Sequence, residues 1–300
     1  MQKVFETPGL LHEMMNHKNT LLNEKNVFTN FIQGQLWANK YKEFYRNTDY
    51  VFPIVKYYDG LEARNPLASR AGKQSLAGVY ILFACMPPHL IGKMLNIFVC
   101  SVFHEKHLAE FGTRACFGKS IEDINTISKE GVLINVNGVK KRAYFPCVLL
   151  LGDNKAVNIG LGFSKSFSAN HYCRVCKCSK SFFQQLAAEY KKLLRNVKNY
   201  TADLLKKFDE TGIEEQCIFN EMFLFHAVEN LSVDIAHDAY EGFCSIVISK
   251  ILDHLVREKI ITLRLVNNRI EIFPYSDAEK ANKPEALYFT ESKKKVKRSN

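Results

Sequence analysis

Three short runs rich in β-branched and aromatic residues, between residues 51 and 103, constrain the fold more than any other feature of the chain. They cover residues 51–58, 76–86 and 95–103, and Gly, Pro or Asn residues bound them. Such runs are typical of buried or half-buried strands. Because they follow one another directly, we expect three strands of one sheet.

A helix and a further strand follow these runs. Residues 120–129 have helical periodicity, with Ser120 as a plausible cap. Asn137-Gly138 separates two β-rich runs, which is the strongest short-range signal for a hairpin. The second arm is expected to continue into the apolar residues 147–151. This order predicts an α/β fold with an RNase H-like mixed sheet, elaborated by the hairpin.

The rest of the chain has a helical pattern. Apolar residues recur at helical spacing over residues 186–208, which predicts one long amphipathic helix with Lys191, Lys192, Arg195 and Lys198 on its opposite face. That basic face is either solvated or a phosphate contact. We expect five regions: a helical segment 1–50, an RNase H-like half 51–165, a CxxC-containing helical insertion 166–236, a helical and strand segment 237–285, and a basic tail 286–300.

Composition excludes several classes of protein. The chain is 47% hydrophobic and 24% charged, which argues against disordered, collagen-like and coiled-coil classes. Prolines interrupt the longest nearly uncharged stretch, residues 76–90, so we expect no membrane-spanning helix and no membrane partner. The N-terminus lacks the apolar run of a signal peptide. The net charge of +10 is consistent with a polyanionic partner.

Two acids follow apolar strands and are candidate metal ligands. Asp59 ends the first strand, and Asp153 follows the run of residues 147–151. If the two strands are neighbours, the carboxylates converge, and oxygen ligands on a sheet edge suit Mg²⁺ or Mn²⁺. The competing interpretation is structural, since Asp before Gly or Asn is also a common turn or helix cap.

A cluster of thiols forms the second candidate site. Cys173 and Cys176 have the CxxC spacing that grips one ion, and Cys178 lies nearby. Tetrahedral Zn²⁺ needs two more ligands, for which Asp234 and His237 are the best pair and His226 is the reserve. An unliganded thiol cluster and a redox CxxC remain alternatives.

Three blocks of this sequence resemble the CACTA-type, En/Spm-like transposases, in particular the related animal transposon-derived proteins. Residues 57–69, YYDGLEARNPLAS, are similar to the segment with the first catalytic Asp. The family's second-Asp block and its CxxC are similar to residues 151–176, LGDNKAVNIGLGFSKSFSANHYCRVC. The family's block with the Asp-x-x-His pair is similar to residues 211–242, TGIEEQCIFNEMFLFHAVENLSVDIAHDAYEG. The resemblance covers roughly residues 50–285.

The resemblance implies an RNase H-like transposase core with a zinc-bearing helical insertion. It makes Asp59 and Asp153 the expected Mg²⁺ ligands, with structural Zn²⁺ at Cys173, Cys176, Asp234 and His237. DNA at transposon ends would be the partner, and a homo-oligomer is compatible with it. The family continues well past this region, so we expect its third catalytic acid to lie beyond residue 300.

Glu241 is the one in-chain candidate for that third acid, because it lies one helical turn after His237. A Glu in the first turn of a helix is also well explained by the helix dipole. The first hypothesis is therefore a protein descended from a DNA-cleaving and strand-transferring enzyme. The second is a non-catalytic remnant that binds nucleic acid or a protein partner, and an unrelated soluble enzyme is a weaker third.

The basic run at residues 293–298 bears on localisation. Its density of Lys and Arg is typical of segments that nuclear import receptors and DNA phosphates recognise. We expect an exposed tail and a nuclear protein. The alternative is that these bases begin a helix that packs against other parts of a longer chain.

Overall fold

The chain has a mixed α/β fold built on a four-stranded sheet. A computed structural model describes residues 2–62, 75–290 and 295–298. Its strands are β1 (Ile54–Glu62), β2 (Ser75–Phe83), β3 (Phe98–His104), β4 (Val132–Val136), β5 (Val139–Ala143), β6 (Cys147–Leu151), β7 (Leu287–Thr290) and β8 (Lys295–Arg298). The main sheet has the order β3-β2-β1-β6, in which β1 pairs antiparallel with β2 and parallel with β6.

Eleven α-helices are present among the described residues. They are α1 (Leu10–Asn23), α2 (Lys42–Phe44), α3 (Pro88–Ile91), α4 (Lys106–Lys129), α5 (Asn154–Leu161), α6 (Lys180–Phe183), α7 (Val197–Asp203), α8 (Phe208–Thr211), α9 (Ser245–Arg257), α10 (Leu263–Ile272) and α11 (Asp277–Lys280). Two π-helical segments cover Trp37–Tyr41 and Ala236–Cys244. Short 3-10 turns cover Gln2–Glu6, Phe31–Gln33, Met94–Asn96, Lys191–Leu193 and Ile218–Glu221.

The central strands are buried on both faces, which makes β1 a rigid support. Ile54 and Tyr58 face a core that includes Phe117 of α4, whereas Val55 faces a second core with Tyr41. Lys56 lies in the middle of β1 and is completely buried, with its Nζ 2.6 Å from Ser120 Oγ of α4. Successive residues of a strand point to opposite faces, so the two cores pack against opposite faces of β1.

The structure agrees with the predicted strands and hairpin but corrects their connections. Asn137 and Gly138 both have positive φ between β4 and β5, as a tight hairpin turn requires. The hairpin forms its own two-stranded sheet, and its second arm does not run on into β6, because Pro146 intervenes and β6 joins the main sheet beside β1. Ser120 is a buried residue inside α4, not its cap.

The long helix predicted over residues 186–208 is wrong. Residues 193–195 pair with residues 175–177 instead, through hydrogen bonds from Lys177 N to Leu193 O (2.8 Å) and from Arg195 N to Val175 O (2.9 Å). Asn196 then caps a new helix, α7. Arg195 is buried, so it does not belong to an exposed basic face. Tertiary pairing overrides the helical periodicity here.

The chain divides into two units, residues 1–233 and residues 234–300. The first contains the main sheet and the hairpin; the second contains α9, α10, α11 and the β7–β8 pair. Asn65 and Pro66 of the first sequence block, and Lys293 and Lys294 of the basic run, lie outside the described residues. Within the described ranges, no helix has both the length and the apolarity needed to cross a membrane.

Candidate functional site

The parallel pairing of β1 and β6 brings Asp59 and Asp153 to the same place. Tyr57 is in register with Leu151, and each aspartate follows two residues later on its own chain segment. Both line one cleft of about 320 Å³ at this end of the sheet. Asp59 does not end β1 as predicted, because the strand continues to Glu62 in its pairing with β2. Asp59 instead lies just beyond the last β1–β6 pair, Tyr57 with Leu151.

A close backbone approach fixes the position of Asp153. A Cβ added at Gly152 would lie 2.5 Å from the carbonyl oxygen of Tyr58, so only glycine allows the turn after β6 to come this near to β1. Asp153 also caps α5, because its Oδ1 accepts a hydrogen bond from Ala156 N at 2.6 Å. The capping role and the cleft-lining role therefore coexist in one residue.

The carboxylate cleft contains charged residues that the sequence analysis did not single out. Glu105, just after β3, approaches Gly60 so closely that a Cβ there would collide with its Oε1. The other additional charged residues of the lining are Glu214, Glu215, Lys155 and Lys165. Lys165 Nζ pairs with Glu214 Oε2 at 2.8 Å. The position of Glu105 directly after a strand is the same signal that identified Asp59 and Asp153.

Tyr58 lies in the same cleft as these acids, and their charges act on its hydroxyl group. Its side chain is buried between Phe103 and Phe117. Burial, and then the negative charge of Glu105 with further contributions from Asp153 and Asp59, raises the pKa of the Tyr58 hydroxyl. Tyr58 and all three carboxylates line the same cleft. Tyr57 donates a hydrogen bond to Asp59 Oδ2 at 3.1 Å.

The cysteine loop, residues 171–178, is a second, chemically different cluster. Cys173, Cys176 and Cys178 line one cavity of about 330 Å³ together with apolar side chains. Cys176 N donates a hydrogen bond to Cys173 Sγ at 3.4 Å, and Cys176 forms a β-bridge with Leu194. Burial raises the pKa of the Cys173 and Cys176 thiols, so a metal ion must displace their protons in order to bind.

Asp234 and His237 lie in the second unit, where they interact with each other. His237 N donates to Asp234 Oδ1 at 3.1 Å, and the imidazole Nδ1 is hydrogen-bonded to Oδ2. Although burial opposes it, these hydrogen bonds lower the pKa of Asp234. Glu241 lies 4.0 Å from His237 Nε2. The i, i+3 spacing does place the oxygen and the imidazole on one side of a turn.

His226, the reserve zinc ligand, lies in the first unit and packs against the Tyr200 ring at 5.1 Å. Its Nδ1 accepts a hydrogen bond from Val228 N at 3.3 Å. Burial is the main cause that lowers the pKa of His226. The structure thus engages this histidine with α7 and with its own loop.

The donor atoms fit the expected metals in kind. The cleft offers carboxylate oxygens, which hard cations such as Mg²⁺ prefer, and the loop offers thiols, which suit Zn²⁺. In the part of the chain that the structure describes, no three His, Cys, Asp or Glu side chains are grouped so as to hold a metal ion.

Neither a scan against protein-family models nor a search among curated proteins found a match for this chain.

Proposed function

We propose that this protein descends from a metal-dependent DNA transposase of the CACTA type, and that the carboxylate cleft is its ancestral site of DNA strand cleavage and transfer. The observation that carries the proposal is the equal offset of Asp59 and Asp153 from the β1–β6 pairing, with both residues in one cleft. Divalent cations held by carboxylates can activate water and stabilise the leaving oxygen of a phosphodiester.

Sheet topology supports the RNase H-like part of the proposal. Three antiparallel strands, β1 to β3, are followed by α4, and the chain then returns with β6 parallel to β1. The strand order β3-β2-β1-β6 is what such a core requires, and the β4–β5 hairpin is an addition to it.

Charge in the cleft supports a cation-dependent chemistry. Asp59, Glu105, Asp153, Glu214 and Glu215 outnumber Lys155 and Lys165, so the cleft itself repels a phosphodiester. A bound cation would reverse that repulsion and supply Lewis-acid chemistry. We propose Glu105 as a third ligand, because it lines the same cleft, although Asp59, Glu105 and Asp153 are not grouped to hold a metal ion as they stand. Glu241, in the second unit, stays a prediction of the sequence.

Manganese binding tests this proposal directly. We expect the full chain to bind Mn²⁺, measured by calorimetry, and Asp59→Asn or Asp153→Asn to weaken binding by at least about tenfold, because ligand charge sets affinity. Asn also caps helices well, so Asp153→Asn should leave the fold intact. Asp123→Asn is the control, since Asp123 lies on the exposed surface of α4 beside Lys119.

The enzymatic half of the proposal needs a second assay. Mg²⁺-dependent nicking of supercoiled plasmid by the wild type, lost in Asp59→Asn and kept in Asp123→Asn, would support an active nuclease. Mn²⁺ binding without nicking would support the remnant that has lost catalysis. Mn²⁺ binding that is equal in all variants would reject the cleft as the metal site.

A basic ribbon favours the alternative of nucleic-acid binding without catalysis. Lys140, Lys141 and Arg142 are consecutive exposed residues of β5, and the hairpin sequence 132–143 contains no acid. Lysines of this kind supply salt-dependent, sequence-independent affinity for phosphates. We expect Lys140→Glu with Lys141→Glu to weaken DNA binding about tenfold in fluorescence anisotropy and to flatten its salt dependence.

The matched control for the ribbon is Lys191→Glu with Lys192→Glu, an exposed adjacent pair in another part of the same unit. It changes the net charge by the same amount. If both double variants weaken binding equally, the affinity is not particular to the ribbon, whether it comes from net charge or from a phosphate contact of Lys191 and Lys192, and this candidate fails.

Zinc and nuclear localisation complete the proposal. Cys173 and Cys176 would hold structural Zn²⁺, and His226 is a candidate ligand in the same unit; that Asp234 and His237 complete the site stays a prediction of the sequence. Elemental analysis of the purified protein and its Cys173→Ser variant tests this. The basic run of residues 293–298 would direct nuclear import. A large cytoplasmic reporter fused to residues 285–300 should enter the nucleus, and a reporter that stays outside would refute this role.

A further inference from the structure

Arg174, which lies between Cys173 and Cys176, donates hydrogen bonds to two side chains of α5 and to a backbone carbonyl group. Its side chain is buried, with 7% relative exposure. Nη2 donates to Asn154 Oδ1 at 2.8 Å, and Nη1 donates to Asn158 Oδ1 at 3.2 Å. Both asparagines belong to α5, the helix that Asp153 caps, and Asn154 is its first residue.

The other side of the guanidinium is anchored to backbone. Nε and Nη2 donate to the carbonyl oxygen of Ser232 at 3.1 and 2.9 Å. The guanidinium therefore spans from a fixed carbonyl to the first turn of α5. A planar group with several fixed donors can hold two partners at a defined separation, which a lysine ammonium cannot do.

A neighbouring contact strengthens the same connection. Asn158 is completely buried, and its Nδ2 donates to Ser164 O at 2.8 Å and to Tyr172 O at 3.3 Å. Arg174 thus binds α5 through its side chain, and Tyr172, on the other side of Cys173, binds it through its carbonyl group. The cysteine loop is fastened to the helix whose N-terminus carries Asp153.

We infer that Arg174 is a positioning residue for the carboxylate cleft: by holding Asn154 and Asn158 it fixes the first turn of α5, and so sets where Asp153 lies relative to Asp59. The inference rests on the proposed function for its metal readout. Residues that orient metal ligands without touching the metal set the geometry of those ligands and the affinity for the metal ion.

The test compares two buried arginines. Arg174→Lys keeps the positive charge but removes the planar fork, and we expect it to weaken Mn²⁺ binding about tenfold. Arg195→Lys is the control, because Arg195 is equally buried (6% exposed) and donates to the carbonyl oxygens of Cys173 and Thr211 rather than to α5. We expect it to lower thermal stability comparably and to change Mn²⁺ affinity by less than about twofold.

Hydrogen exchange provides a readout that does not depend on metal. The Ala156 amide, which donates to Asp153 Oδ1, should exchange faster in Arg174→Lys while amides of the β1–β2 ladder keep their protection. Asn154→Ala should reproduce this local effect. Equal Mn²⁺ affinity and equal Ala156 exchange in the two arginine variants would overturn the inference. If the wild type binds no Mn²⁺, the proposed function fails and the exchange result alone decides the role of Arg174.

Discussion

In the carboxylate cleft, acids that are far apart in the sequence line one cleft because β1 and β6 are neighbours, whereas in the cysteine loop all three thiols lie within residues 173–178. The cleft is therefore a product of sheet topology, and the loop is a product of local sequence. The cleft also presents charged oxygens on exposed or half-buried residues, while the thiols of Cys176 and Cys178 are buried. Two sites in one unit thus depend on different physical causes.

The largest effect should come from breaking the backbone approach on which the cleft depends. Gly152→Ala would place a methyl group 2.5 Å from Tyr58 O, so we expect the free energy of unfolding to fall by about 2–3 kcal/mol. Mn²⁺ binding should weaken as well. Gly92→Ala is the control, because nothing lies within 4 Å of its added Cβ and its φ is −83°. Chemical denaturation measures the stability of both variants. Equal stabilities of Gly152→Ala and Gly92→Ala would mean that the approach of Gly152 to Tyr58 O does not require glycine.

The next effect separates the chemistry of the two sites by pH. Burial raises the pKa of Cys173 and Cys176, so both thiols are protonated at neutral pH in the metal-free protein. If both bind Zn²⁺ as thiolates, two protons leave, and affinity should rise up to about 100-fold per pH unit below the thiol pKa. Competition with a chromogenic chelator between pH 6 and 8 measures this. A flat profile would mean that the thiols are not ligands.

A third prediction concerns β1, the strand that supports Asp59. Lys56 is completely buried, and burial lowers the pKa of its amine. We expect Lys56→Met, which keeps the volume and removes the amine, to raise the free energy of unfolding by about 1 kcal/mol at pH 7. Lys56→Ala is the matched comparison, because it removes the same amine but leaves a cavity, and it should be destabilising.

The stability difference between Lys56→Met and the wild type should depend on pH, and its sign follows from the lowered pKa of Lys56. Between the folded pKa and the ordinary value of 10.5, the unfolded chain binds more protons than the folded one, so the wild type gains stability as pH rises. The advantage of Lys56→Met should therefore shrink as pH approaches 10.5. Denaturant unfolding at several pH values measures it, and an advantage that grows with pH would refute the buried-amine explanation.

The smallest effect tests Glu105. A Cβ at Gly60 would meet only the flexible end of the Glu105 side chain, so Gly60→Ala should change the free energy of unfolding by less than about 0.5 kcal/mol. If Glu105 contributes a ligand, Mn²⁺ affinity should still change severalfold, since the carboxylate must move. Gly92→Ala again serves as control. Unchanged affinity would remove Glu105 from the proposed metal site.

Local sequence predicted the elements well where local forces dominate. The β-rich runs became β1, β2, β3 and β6, and Asn137-Gly138 formed the hairpin turn, because turn conformation and strand propensity are short-range properties. The helix predicted over residues 186–208 does not form, because Arg195 and its neighbours pair with the cysteine loop. Helical spacing does not encode this long-range pairing. Leu205 consequently remains 90% exposed.

The sequence by itself predicted the acids Asp59 and Asp153 and the thiols Cys173 and Cys176 as candidate ligands, because residue type, position after an apolar run and CxxC spacing are visible in a linear chain. Only the tertiary structure placed Glu105 in the same cleft and connected Arg174 to α5. Those contacts depend on which strands pair and which loops pack together. A linear pattern does not specify them, since the energy that selects them comes from burying the whole core at once.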